Sequence, residues 1–289
     1  MRMLSRPDRG VVSGSREMRK RVEWWSEAMR PAIWLWVIGT VVWPGASGMA
    51  EDFRIVTKVY AGAEEDHESA PVAETLTLFA GGVVYDFLRS GDREEMTVFD
   101  PQRRRFVLLD PKRHVQTTLH FDGVLSFTAQ VKARLEETGR KEFAAPTFEV
   151  RDAKERGPMA FVLDNPAIRY TVVGERVPSP AASTQYQQFA DWYARLNTMR
   201  PGNAPPFARL RLNSELATRQ WIPREVIRVV RMKRGLRLRE FTMRSRHQVT
   251  WLLSQSDRKR IERAGTAMAS YRVVGFRQYL DIPQETAAR

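Results

Sequence analysis

The chain has 289 residues, no cysteine, and 47 Lys and Arg against 34 Asp and Glu, a net charge of +13. The lack of cysteine excludes disulfides, thiolate catalysis and Cys-ligated zinc, so any fold must stand on packing alone. The length is ample for one sizeable core, and no internal repeat of solenoid period is visible.

The first feature in chain order is an uncharged run, Ala32–Trp43, preceded by Arg30 and ended by Pro44-Gly45. A spanning helix needs about 20 apolar residues, so this run is too short for an ordinary transmembrane segment. A basic region, a short apolar stretch and the small residues Gly48 and Ala50 match a secretory signal. Residues 1–50 are therefore expected to be an export signal, with Met29 as a second candidate start. The alternative is an uncleaved N-terminal anchor. Cleavage predicts a mature chain beginning near Glu51, which N-terminal sequencing of envelope material would show. Removing the first 50 residues, with eight basic and four acidic side chains, leaves 39 against 30.

The remaining chain, 51–289, reads as a single exported β-rich domain. "DFRIVTKVYAG" alternates as a strand. "AEEDHESAP" reads as an exposed loop, and its "EEDHE" cluster lacks the spacing and glycine of a calcium loop. "ETLTLFAGGVVYDFLRSG" reads as a hairpin turning at Gly81-Gly82, where glycine tolerates the positive φ. "MTVFDPQRRRFVLLDPKRHVQTTL" carries two Asp-Pro-x-Arg turns ten residues apart, at Asp100 and Asp110. Asp followed by Pro favours a type I turn, and strands at that spacing make an antiparallel meander. An amphipathic helix is predicted over 124–137, stopped by Gly139. Strands resume at "PTFEVRD", "GPMAFVLDNP" and "AIRYTVVGE". A second helix is predicted over 184–199 and a third after Pro205-Pro206. A basic hairpin follows from Arg224, then a final helix capped by Ser254 or Ser256.

Strands that alternate exclude a doubly wound parallel sheet. The predicted class is α+β, mainly antiparallel β, with a curved open sheet and the helices near 124–137 and 184–199 on its concave face. The candidate ligand-binding residues on that face are Leu76, Leu78, Val83, Tyr85, Phe87, Val98, Phe106 and Leu108, all of which ordinary core packing would also explain.

Basic residues concentrate between Arg200 and Arg263, 17 against five acidic ones. Such a face attracts phosphate, anionic lipid or acidic polymer. The apolar phase of the second hairpin strand changes between Leu238 and Phe241, which predicts a β-bulge near Glu240. That bulge would bring Arg237, Arg239, Arg244 and Arg246 onto one anion-binding face. Reversing all four to glutamate is expected to leave folding intact and abolish salt-sensitive binding to anionic vesicles or wall material. The rival reading is a solvated hairpin whose arginines deter edge-to-edge aggregation.

No phosphate loop, nucleophile elbow or HExxH pattern appears. The four histidines, His67, His114, His120 and His247, do not form a ligand set, so no cofactor or metal is expected and a binding role is favoured over an enzyme. Nucleic acid is not the expected partner of an exported chain.

From Asp52 to Glu175 the chain resembles the periplasmic lipoprotein-carrier (LolA-like) superfamily. The residues that carry the likeness are the leader, "DFRIVTKVY", the Asp-Pro-punctuated meander and the helices inserted between strands. The resemblance implies an unclosed barrel around helices and a concave apolar face that takes up acyl chains. The greater length and the basic C-terminal region depart from that pattern. Two functions are therefore expected as alternatives: an exported protein that binds or carries an amphipathic, lipid or lipoprotein-like ligand, and a structural envelope protein held to anionic lipid or wall polymer by its arginines.

Overall fold

The protein is described as a computed structural model covering residues 51–62, 70–234 and 237–281, side chains from 233 to 238 excepted. The leader, the "EEDHE" cluster with His67, and the Arg237 side chain lie outside the described residues. The described residues pack as one unit.

The strand pattern folds much as its alternation dictates. β1 (Phe53–Ala61), β2 (Ala73–Ala80), β3 (Val83–Ser90), β4 (Arg93–Asp100), β5 (Arg105–Asp110) and β6 (Val115–His120) form the meander. β7 (Glu149–Asp152), β8 (Ala160–Asp164), β9 (Ile168–Arg176), β10 (Trp221–Arg234) and β11 (Arg237–Thr250) form the second half. β11 pairs with β1 and joins the halves. With the two-residue β12 (Arg272–Val273), the sheet has 12 strands in the order β12-β6-β5-β4-β3-β2-β1-β11-β10-β9-β8-β7. Every described pairing is antiparallel except β12 on β6. The sheet is open, and it ends on two very short strands, which limits edge pairing with other chains.

Both Asp-Pro turns form. Asp100 Oδ1 accepts from the Arg103 amide and Asp110 Oδ1 from the Arg113 amide. Each turn ends on a left-handed residue, Arg104 at φ 50° and His114 at φ 49°. A non-glycine side chain enters that region at a cost of about 1–2 kcal/mol. His114 therefore sits in the turn before β6, not on the strand with His120.

α1 (Phe121–Glu137) starts three residues before the expected position, because Asp122 and Gly123 form its first turn. An acidic side chain there is favoured by the helix dipole. α3 (Pro180–Thr198) also starts early: the Ser179 side chain caps it and Pro180 occupies the first turn, a pairing suited to helix initiation. α4 (Phe207–Thr218) is the third expected helix. α5 (Gln255–Ser270) is closed at its start by a capping box between Ser254 and Asp257. The short helices α2 (Lys141–Ala144) and α6 (Phe276–Tyr279) were not anticipated.

Register partners lie on one face of a sheet, so the pairings sort the side chains. Phe53, Phe79, Val84, Phe99 and Phe106 form one cross-strand row. They pack under α1 and α3 on the concave face. α4 covers β8, β9 and β10 on the same side, around Phe161, Tyr170 and Val172. α5 lies on the opposite, convex face, where Ala267 and Met268 meet Val98, Val107 and Leu109.

The predicted bulge at Glu240 is absent. β10 and β11 keep one register from Glu225↔Arg246 to Arg234↔Arg237. The irregularity lies instead in β10, at Arg224 between Pro223 and Glu225. Proline cannot donate to the ladder, so Pro223 in a strand interior is the signal that marks it. Opposite it stands Gly174, where an added Cβ would fall 2.8 Å from the Trp221 ring carbon Cε3. Gly174→Ala is accordingly expected to cost about 1–3 kcal/mol through overpacking. Urea unfolding checks this, and an unchanged midpoint would contradict it.

Candidate functional site

Six of the eight apolar candidates share a face, but it is the convex one. Leu78, Tyr85 and Val98 form one cross-strand row, Leu76 and Phe87 the next, and Val83 has the parity of Tyr85. Only Phe106 and Leu108 lie on the concave face with the helices. The misassignment has a simple cause. Alternation shows which residues share a face of a strand, but not which face another element will cover. Here helices cover both.

The concave face holds something the apolar pattern concealed. Beside the aromatic row runs a second row, Ile55, Thr77, Asp86, Thr97, Leu108 and Thr117. Thr77, Asp86, Thr97 and Thr117 are all buried. Thr77 Oγ1 donates to Asp86 Oδ1 at 2.6 Å, and the Tyr193 hydroxyl of α3 donates to Asp86 Oδ2 at 2.9 Å. One row further, Glu95 is also buried. Its Oε2 accepts from Arg93 at 2.8 Å and from the Tyr279 hydroxyl of α6 at 3.1 Å. Its Oε1 accepts from Arg200, which follows α3.

Two carboxylates of β3 and β4 thus hold the end of α3, its following segment and α6 against the sheet. Burial pushes Asp86 up to about 6, only partly offset by its two hydroxyl donors. Burial also raises Glu95, against the Arg93 charge and the Tyr279 hydrogen bond, and the Asp86 charge adds to the rise. Both tyrosines are raised by burial first and then by these carboxylates. Arg200 Nη1 is buried with no hydrogen-bond partner among the described residues. A buried cluster of shifted carboxylates with an unused donor is a candidate site on physical grounds.

The cover over this network is aromatic. Phe121 of α1 stacks on Trp192 of α3 at 3.7 Å. Phe189 of α3 sits edge-on to Phe79 at 5.6 Å and Phe99 at 5.9 Å. Beyond Thr128, α1 has no buried residue.

A second polar group lies on the same face at β1 and β11. His247 is hydrogen-bonded through Nδ1 to Thr57 Oγ1 at 3.0 Å and through Nε2 to Ser245 Oγ at 2.9 Å. Desolvation and the nearby Arg209 charge lower its pKa. The residue as a whole is only part-buried, which limits the size of that shift. The hydroxyl–imidazole–hydroxyl chain resembles a nucleophile pair only superficially. Thr57 cannot stabilise an imidazolium as a carboxylate would, and the lowered pKa opposes general-base action. Among the described residues no group of three His, Cys, Asp or Glu side chains could hold a metal ion.

The four arginines do not converge. A regular register places Arg239 on the concave side and Arg244 and Arg246 on the convex side. Arg244 is 3% exposed and donates twice to Glu225 Oε2, at 3.0 and 2.6 Å. Arg246 stands 3.8 Å from the same oxygen, and Arg156 reaches the other carboxylate oxygen at 2.6 Å. Arg244 is therefore part of the folded interior, and the expectation that its reversal leaves folding intact does not hold.

An open cleft of about 610 Å³ lies between Thr147–Glu149 and Asp164–Pro166, beside Arg231. It borders β7 and β8, six or more strands away from the carboxylates in the sheet order. Asp164 is already engaged by Arg169 and Arg231, which keep its pKa low. Among the described residues no helix is long and apolar enough to cross a membrane. No protein-family model and no curated protein matches the chain, so the concave-face site rests on its own geometry.

Proposed function

We propose that the protein is an exported cell-envelope protein that binds an amphipathic ligand on the concave face of its sheet, beneath α1 and α3. The observation that carries this reading is the layered composition of that face. A row of aromatic side chains lies beside a row bearing buried Asp86, with Glu95 next to it, and both lie under helices. An apolar chain would take the place of Phe189 and Trp192 against the aromatic row. Its polar head would meet the acceptors Asp86 and Glu95 and the unpartnered donor of Arg200.

Entry requires displacement of α3 or α1. The short buried segment of α1 favours that helix as the first to yield, since few buried apolar contacts mean low local stability. An unclosed sheet with helices on its concave face is also what the likeness to lipoprotein carriers implies.

Native mass spectrometry of protein purified from its own envelope tests the proposal. A retained lipid mass, displaced by a fluorescent fatty-alcohol analogue that gains emission on binding, is the expected result. A bare chain that also fails to bind the analogue rules it out and favours the structural role.

A further inference from the structure

β10 and β11 run past the sheet. β9 leaves β10 after Val230, and β1 leaves β11 at Met243. Among the described residues the last lateral backbone bonds are Arg231 to Ala167 and Gly62 to Thr242. Beyond them, among the described residues, the two strands pair only with each other, so at least three residues of β10, roughly 10 Å, extend past the rest of the sheet as a two-stranded ribbon.

The ribbon is two-faced. Val230↔Phe241 and Met232↔Arg239 are register pairs, so all four share the concave side. Met232 is 41% and Phe241 49% exposed. On the other side Arg231 is paired with Glu240 at 3.2 Å, and Glu225 further down is taken by Arg156 and Arg244. Both acidic residues of 224–246 are thus engaged away from the apolar side, while that segment carries nine Lys and Arg. Among the described residues Arg239 is in no ion pair.

We propose that this ribbon docks the protein on an anionic lipid bilayer, with Met232 and Phe241 entering the headgroup region and Arg239 meeting lipid phosphates. Aromatic and thioether side chains gain by leaving water at such an interface, and adjacent cations add attraction to anionic lipid. A wall polymer would use the charge but has no place for the two apolar side chains. The inference rests on the envelope reading only for its access to a bilayer, and it is independent of any ligand under α3.

The test uses the full chain and vesicles of phosphatidylcholine, alone or mixed with phosphatidylglycerol. Sedimentation should show salt-sensitive binding to the mixed vesicles only. Arg239→Glu should weaken it about fivefold or more. Met232→Ser with Phe241→Ser should weaken it about tenfold or more, with unchanged circular dichroism. Since the chain has no cysteine, Phe241→Cys accepts one environment-sensitive dye, whose emission should shift to the blue on mixed vesicles. Equal binding by the double serine variant, an unshifted dye, or binding to isolated wall polymer but not to vesicles would each overturn the proposal. Ligand capture is read by a separate assay, so either reading can fail while the other stands.

Discussion

Asp86→Asn is expected to stabilise the protein at pH 7 by up to about 3 kcal/mol. The figure follows from the gap between an ordinary aspartate near 3.9 and the value of about 6 reached here, at about 1.4 kcal/mol per pH unit. The sign follows from linkage. A carboxyl whose folded pKa is raised holds its proton more tightly when folded. Its contribution is fully present below about pH 4, falls as the pH rises to about 6, and is flat above. The amide keeps the acceptor for Tyr193 and the shape of the side chain, but never carries the charge. Other carboxyls work the opposite way: Asp110 and Asp257 are lowered, the first by the Arg113 backbone and side chain and the second by Ser254 and Arg54, against their own burial. They lose stability as the pH falls. The wild-type-minus-variant difference removes them and isolates Asp86. Urea unfolding from pH 4 to 7 reads it. A destabilised variant, or a difference that does not change with pH, would show the buried charge to be compensated. A gain in stability joined to a loss of fatty-alcohol-analogue binding would mark Asp86 as a side chain retained for function at a cost to the fold.

How much of this was legible in the residues depends on the range of the signal. The hairpin at Gly81-Gly82, both Asp-Pro turns and the open antiparallel class follow from local chemistry, and they form as expected. α1 and α3 were legible in their apolar stripes but not at their starts. Asp122-Gly123 looks like a breaker until Phe121 is seen stacked on Trp192, 71 positions away. The buried carboxylates were hidden for a different reason. In "VYDFL" the aspartate has the parity of a solvent-facing residue, and in "REEM" the glutamate has the same look. Only a second layer of helices on the supposed solvent face buries them. A period-2 pattern cannot show that both faces are covered, and the eight apolar candidates were divided between faces by the same ambiguity. The bulge lies elsewhere because the phase change between Leu238 and Phe241 falls where, among the described residues, β10 and β11 have no lateral neighbour and need no single apolar side. Pro223, a proline in a strand interior, was the signal to follow.

Arg244→Glu is expected to cost about 3–5 kcal/mol, whereas Arg246→Glu should cost less than about 1. The two residues are two positions apart, on one strand and one face, beside one carboxylate. Burial and contact with Glu225 separate them: the Arg244 side chain is 4% exposed and donates twice to the carboxylate, whereas that of Arg246 is 41% exposed and stands 3.8 Å away. Reversing Arg244 places a second carboxylate against Glu225 where water cannot relieve it. Reversing Arg246 leaves a charge that solvent screens, and Glu225 keeps Arg244 and Arg156. Arg244→Met divides the first cost. It removes the pair without adding a buried anion, so it should fall between the two reversals. Thermal unfolding should show a drop of roughly 6–20 °C for Arg244→Glu in a chain of this size. Equal midpoints for the two reversals would contradict the buried pair. The distinction also governs any charge-reversal experiment on the hairpin. A set that includes Arg244 would lose membrane binding by unfolding, whereas Arg239, exposed on the ribbon beyond the last described lateral hydrogen bond, reports docking without touching the core.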